Sequence, residues 1–441
     1  MQRNNNCALV LCAMIAATGC GDSGSNGGTG GAGGGPGTPA LESLSEAPTF
    51  AVVSSDFSSS SIAVFDAEFA PLDESWINSG TEFPGLVAAL SGDVVLPNRQ
   101  ASDGTFALLD RLGTDVVSRF YVPSGNLDGQ VRTQGEAMDV GFSSNPQDLV
   151  FVNESSAWVT RFGINLDSNA PPENQGTDLL EIDPSTMTLT GGRIDLSSLN
   201  TTGTVMTDDG PVEVTVYARP NRAVLVGSTI IVGLDRLSGD FDAAGPGMVA
   251  VVDLLTEEVE GLLLPDGLLN CGNAVPVPGA SDRVIVACLG FSQTFGNEPE
   301  TRASAGVVLL SVDGTEATVE TTWRASTEPT SAIAVNNLVA LDQNRVAGVD
   351  WGDSVAETGD VMSVTNLNTG AQFPVHGSVG AFEIGIPAYD PDSELIFVPD
   401  AGEDASTVFE YAVESDSATE IRTIDIAVDL GLPPRRAYLL N

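Results

Sequence analysis

Short runs of alternating apolar residues, most of them closed by Asp, Asn or Tyr, recur along the chain. They read IAVFD (62–66), FALLD (106–110), LLEID (179–183), VAVVD (249–253), LLSVD (309–313), MSVTN (362–366) and VFEY (408–411). The mean spacing is about 57 residues. After most of these anchors comes a turn, such as residues 184–186, 314–315 or 368–370, and then another strand-like run. Before several of them lie two more, as at 148–152 with 157–161 and at 223–227 with 229–234. Four short strands per unit and seven units predict an all-β fold, a seven-bladed β-propeller over residues 46–441. Capped stretches of helical period are missing, which argues against an α/β arrangement. A two-sheet sandwich suits neither the length nor the repeat.

The two ends of this repeat complement each other. Residues 49–53 (TFAVV) match a second strand such as LIFV (395–398), so the first unit lacks its innermost strand. Residues 430–440 (LGLPPRRAYLL) are similar to IGIPAY (384–389), which opens the last unit. The C-terminal strand is therefore expected to enter the first blade and close the ring.

Ahead of the repeat lies a different kind of sequence. Residues 7–17 form an apolar run of eleven, too short to span a bilayer as a helix, and are followed by ATGC (17–20). This segment resembles a bacterial lipoprotein signal, with Ala17 in place of the preferred Leu. The resemblance implies removal of residues 1–19 and lipidation of Cys20, with ordinary signal cleavage nearby as the alternative. Residues 20–45, with GDSGSNGGTGGAGGGPGTP, read as a flexible tether of roughly 25–30 Å reach. The expected place is the cell envelope at the outer membrane, on either face. No later stretch has the roughly 18 uninterrupted apolar residues of a spanning helix.

Composition narrows the chemistry. Sixty Asp and Glu face 17 basic residues, all arginine, for a net charge of −43. Without lysine there is no Schiff-base or phosphate-loop lysine. So acidic a chain is not expected to bind nucleic acid. A single histidine, His376, leaves no multi-histidine metal site, and its place in an outer-strand pattern reads as a surface residue. No cofactor is expected, and no catalytic constellation stands out.

The long polar segments 54–61, 97–104, 165–176, 237–247, 291–306, 351–360 and 399–406 read as second-to-third strand connections gathered on one face. Their acids suggest a face for a cation, a cationic small molecule or a basic protein patch. Solvated charge is the plainer explanation. The candidate ligand-binding residues are Asp240, Asp242, Trp351, Asp353, Asp400 and Asp404, with Ca²⁺ a possible occupant of the carboxylates and Trp351 a stacking platform.

The strand–turn repeat is similar to that of secreted and lipoprotein seven-bladed propellers of the YncE-like kind. That resemblance implies the fold and little about activity. The reading is a lipid-anchored extracytoplasmic monomer that binds a partner through its acidic loop face without catalysis. Alternatives are a carboxylate- or Ca²⁺-dependent hydrolase or lactonase on the same face, and an accessory protein of metal or siderophore uptake.

Cys271 and Cys288 fall in the folded part, in a compartment that permits disulfides. A hairpin turning at Gly279-Ala280 would set them opposite each other in the first two strands of the fifth blade, about 4.5 Å apart at Cα. A bulge would shift that register, and two buried thiols are the alternative. A bridge closing so short a loop is expected to stabilise by about 3 kcal/mol. Mass spectrometry of non-reduced peptides should show the linked pair; alkylation of both thiols in native protein would refute it.

Overall fold

A computed structural model describes residues 44–440 except 112, 135–141, 168, 294–297, 328–331, 403–406 and 427–430. Cys20 and Asp404 lie outside the described residues. Seven four-stranded antiparallel sheets form the blades of a propeller. Blade 4 shows the order from axis to rim: Pro220–Val226, Thr229–Leu234, Met248–Asp253 and Glu258–Leu263.

Burial explains the strand sequences. The second strands, such as Phe50–Ser55, Thr105–Asp110 and Thr229–Leu234, are buried at every residue because both faces meet a neighbouring blade. They therefore read as near-continuous apolar runs. Outer strands such as Glu258–Leu263 are mostly exposed and carry the charge. The apolar core divides into seven clusters, each shared by two adjacent blades. Alternation along one strand feeds two of them: Ile230 and Val232 pack toward blade 3, Ile231 toward blade 5.

The seventh cluster joins the last blade to the first. The C-terminal strand Pro434–Leu439 is the innermost of blade 1, with Phe50 opposite Leu439 and Val53 opposite Arg436. It also touches blade 7, where the Ala437 amide donates to the Ile386 carbonyl at 3.0 Å. Closure by the C-terminal strand is thus as the sequence implied. The chain enters the described fold beside blade 2, where the Leu44 amide donates to the Pro123 carbonyl at 3.2 Å. Pro123 lies in the turn between the third and fourth strands of that blade, Val116–Tyr121 and Leu127–Arg132.

Three features depart from the sequence reading. First, FALLD (106–110) lies on the second strand of blade 2, not the third. Second strands also end in aspartate at Asp110, Asp350 and Asp400, so the terminal acid alone does not mark the third. Residues 97–104 therefore connect the first strand, Val94–Val95, to the second. Second, a three-stranded sheet of Thr201–Thr207, Gly210–Tyr217 and Leu237–Ser238 is inserted between blades 3 and 4.

The third departure concerns the cysteines. They are bonded, with Cα atoms 3.8 Å apart, but not as directly opposed strand residues. The turn is at Pro278-Gly279, with Val277 opposite Ala280, and the register then shifts so that Pro276 faces Val284 and Asn273 faces Ala287. Cys271 sits ahead of the inner strand Asn273–Val277 and pairs with Leu234 of blade 4. The bridge lies in the apolar cluster between blades 4 and 5. A side chain at Gly247 would place Cβ 2.7 Å from the Cys271 sulfur, so that position has room for hydrogen alone.

Deleting residues 434–441 removes the inner strand of blade 1 and opens the interface with blade 7. The truncated protein should melt at least about 5 °C below the full chain by calorimetry. An unchanged melting curve would mean that the strand is dispensable for closure.

Candidate functional site: an arginine-lined axial cavity

Where seven inner strands converge, side chains from every blade face one space. They enclose an axial cavity of about 520 Å³. It runs from Phe57, Trp351 and Phe382 on the face of the second-to-third strand loops to Pro278 and Tyr389 at the other end. Its volume lies in the range of small-molecule sites.

The charge of this lining is opposite to that of the protein. Among the described residues Arg99, Arg111, Arg222, Arg435 and Arg436 line it, five of the chain's 17 arginines, against a single carboxylate, Asp93. Asp93 is already paired with Arg111, whose Nε donates to it at 2.9 Å. Behind the wall, buried Asp148 stands 3.8 Å from the Arg222 guanidinium. Its two oxygens are also taken by the amides of Asn98, Leu149 and Ala223.

A short segment of blade 2 gathers these groups. Its inner strand ends after two residues, and residues 96–100 reach across the axis. The Asn98 amide donates to the carbonyls of Ala223 in blade 4 and Ala274 in blade 5, at 3.1 and 2.8 Å. The Leu96 carbonyl accepts from Arg222 at 2.8 Å and from Arg436 at 2.6 Å. Two guanidiniums are thus drawn onto one carbonyl. Burial, and second the nearby Arg222 charge, push Arg436 down to about 9, which leaves it charged at neutral pH. Burial also lowers Arg222 and Arg435. The Arg436 Nε is buried with no hydrogen-bond partner. Exposed Arg99 makes no ion pair among the described residues.

The rim is built on a buried carboxylate. Asp360, fully buried, accepts from four backbone amides, those of Gly352, Phe382, Glu383 and Ile384, at 2.8–2.9 Å. It thereby ties the loop after Trp351 to the loop carrying Phe382. The two rings meet edge to face with centroids 5.5 Å apart. Phe57 and Phe382 both hold φ at 65°, a left-handed conformation that costs a bulky residue about 1–3 kcal/mol. The Arg435 guanidinium lies 5.0 Å from the Phe57 ring centroid and donates to the Phe382 carbonyl at 3.1 Å.

The acids singled out from sequence fall elsewhere. Asp240 is exposed and Asp242 accepts from the Ser238 hydroxyl at 2.7 Å, both in the blade 4 loop that adjoins the inserted sheet. Asp353 caps a turn through the amides of Val355 and Ala356. Asp400 is buried and accepts from Gly402 and His376. Among the described residues no group of three or more His, Cys, Asp or Glu is placed to hold a metal ion. Of the candidates among the described residues, Trp351 alone lines the axial cavity.

His376 is on the outermost strand of blade 6, Gln372–Gly377, but its side chain turns in toward blade 7 and is 7% exposed, not a surface group. Nε2 lies 2.9 Å from Asp400 and Nδ1 2.8 Å from the Tyr411 hydroxyl. With Nε2–H donated to the carboxylate, Nδ1 accepts from Tyr411, whose hydroxyl burial pushes up to about 12. This closed network pins two blades together, away from the cavity.

The arginines carry a sequence signal that charge totals conceal. PNR occurs at 97–99 and at 220–222, and PPRR at 433–436, each on or beside an inner strand. In a chain so poor in basic residues, repetition of one of them after proline at the starts of units marks the axis.

No known family profile matches the sequence, and no curated protein matches it. Solved structures share the architecture. A protein described as a putative 6-phosphogluconolactonase of Bacteroides fragilis superposes with a TM-score of 0.51 at 10% identity, over 90% of this chain and 99% of that one. A hypothetical selenium-binding protein of Sulfolobus tokodaii gives 0.53 at 10% identity, over 90% and 94%. At such identity the likeness shows the fold alone.

Behind the cavity wall, buried Asp235 accepts from the Asn221 amide at 2.9 Å, and burial raises it to about 6 against the opposing pull of Asn221 and Arg219. The folded state therefore holds a proton that the unfolded chain releases near pH 4. Stability from this group is complete below pH 4 and lost as pH rises through 6. The difference amounts to at most about 3 kcal/mol. Asp235→Asn should flatten the fall in melting temperature between pH 4.5 and 7 relative to wild type. Parallel pH profiles for the two proteins would contradict the assignment.

Proposed function

We propose that this protein is a non-catalytic binding module of the cell envelope that takes up a small anion in its axial cavity. The carrying observation is the inversion of charge: five arginines and one neutralised carboxylate on the axis of a chain with net charge −43. Asp93 and Asp148 offset only part of this charge, and arginine in excess of carboxylate in a partly dry cavity is costly unless an anion completes it. The unpartnered Nε of Arg436 supports the same reading. Lipidation of Cys20 and the tether over residues 20–45 belong to this proposal and would hold the propeller at the outer membrane.

The acidic loop face serves here as a solvated exterior that opposes self-association. Asp56 and Asp353 use their carboxylates to cap their own turns, which fits that role better than ligand capture. A lactonase or hydrolase working through loop-face carboxylates would require several of them around one point. The described residues bring no such group together; the binding reading rests on the axial arginines.

Inorganic phosphate at constant ionic strength is a direct probe. It should raise the melting temperature of the wild-type protein and quench or shift the emission of Trp351, identified by comparison with Trp351→Phe. Both effects should weaken at least about tenfold in Arg436→Gln. A phosphate response unchanged in Arg436→Gln, or no response in wild type, would overturn the axial site.

A further inference from the structure

The cavity has a second chemical character beside its charge. Asn98, Asn221, Asn336 and Asn337 all line it, and each donates amide N–H to the frame. Asn98 donates to Ala223 and Ala274, Asn221 to Asp235, Asn336 to the Val349 carbonyl at 3.2 Å and Asn337 to the Ile384 carbonyl at 3.0 Å. No described residue donates to the Oδ1 of any of the four. The same wall thus offers amide carbonyls as acceptors and guanidiniums as donors.

From these groups we infer that the ligand is a polyhydroxylated carboxylate, an acid of the sugar-acid type. This rests on the anion-binding reading of the same cavity. The carboxylate answers Arg222 and Arg436, where planar guanidinium forks match two oxygens. Hydroxyl groups answer the asparagine carbonyls, which need donors. An ammonium group would also donate, but the arginines repel a cation and Asp93 is already neutralised by Arg111. Trp351 and Phe382, held edge to face at the rim, present apolar surface to the C–H face of a ring. The volume of about 520 Å³ has room for one or two sugar units.

Calorimetry on the mature, full-length chain with glucuronate, glucose, acetate and alanine at matched ionic strength tests the inference. Glucuronate should bind at least about tenfold more tightly than acetate, glucose or alanine, since charge and hydroxyls both contribute. Asn336→Ala should weaken glucuronate several-fold and leave acetate unchanged. Arg436→Gln should weaken both. Because Arg436 lies on the closing strand, its melting curve is measured alongside, and the wild-type comparison of ligands stands without it. Acetate equal to glucuronate would overturn the hydroxyl assignment while phosphate binding kept the anion site. Tighter binding of alanine or glucose would overturn the sugar-acid class. Failure of every anion, phosphate included, would remove the axial reading itself.

Discussion

A blade of this protein is apolar on both sides, and no single blade can satisfy that. Val249 and Val251 face one neighbour while Ala250 and Val252 face the other. An open row of blades would therefore leave two apolar faces in water, at its first and last members. The ring removes both at once, and the C-terminal strand is what lets it do so. Pro434–Leu439 supplies the inner edge that Phe50–Ser55 would otherwise expose, and Ala437 joins the cluster between blades 7 and 1. The convergence of inner strands on one axis follows from this, and the cavity follows from the convergence.

What fills the axis is a matter of polar bookkeeping. The inner strand of blade 2 leaves its ladder early, at Pro97, and the Gln100 side chain replaces it by bonding both the amide and the carbonyl of Ala107. That departure frees the Leu96 carbonyl to accept from Arg436 of neighbouring blade 1 and Arg222 of blade 4. It also lets Asn98 bind the carbonyls of Ala223 in blade 4 and Ala274 in blade 5. One segment thus ties blade 2 to blades 1, 3, 4 and 5 and concentrates positive charge where it has least solvent. Few carboxylates stand near the axial arginines: Asp93 beside Arg111, Asp148 beside Arg222, and Glu383 and Asp56 near Arg435, while the rim carboxylate Asp360 is consumed by backbone amides.

Architecture was legible because it rests on period. Two-sided burial writes apolar runs at second and third strands, and the likeness of 430–440 to 384–389 announced the closing strand. Strand identity within a blade was less legible. FALLD at 106–110 looks like a third strand because Asp110, like Asp350 and Asp400, ends a second strand, where Asp110 and Asp350 bond the connection from the preceding blade and Asp400 bonds His376 on that blade's outer strand. The pairing of Cys271 with Cys288 was readable from their spacing, but their register was not, since a bulge after Pro276 is a three-dimensional compromise. His376 could be placed on an outer strand; that its ring turns inward depends on Tyr411 and Asp400 arriving from another blade. The cavity was missed for a related reason: total charge weighs sixty acids against a few arginines and says nothing about which of them meet on an axis.

The point where the chain enters the fold gives the ring a direction. Leu44 is fastened to Pro123, in a third-to-fourth strand turn, and such turns share a face with the first-to-second connections. Phe57, Trp351, Phe382 and Arg435 lie toward the opposite face, among the second-to-third and fourth-to-first connections. If Cys20 carries the lipid proposed above, the tether leaves from the side away from the aromatic rim. The aromatic rim would then lie on the face opposite the point where the tether joins the ring, so the tether would not cross that mouth of the cavity.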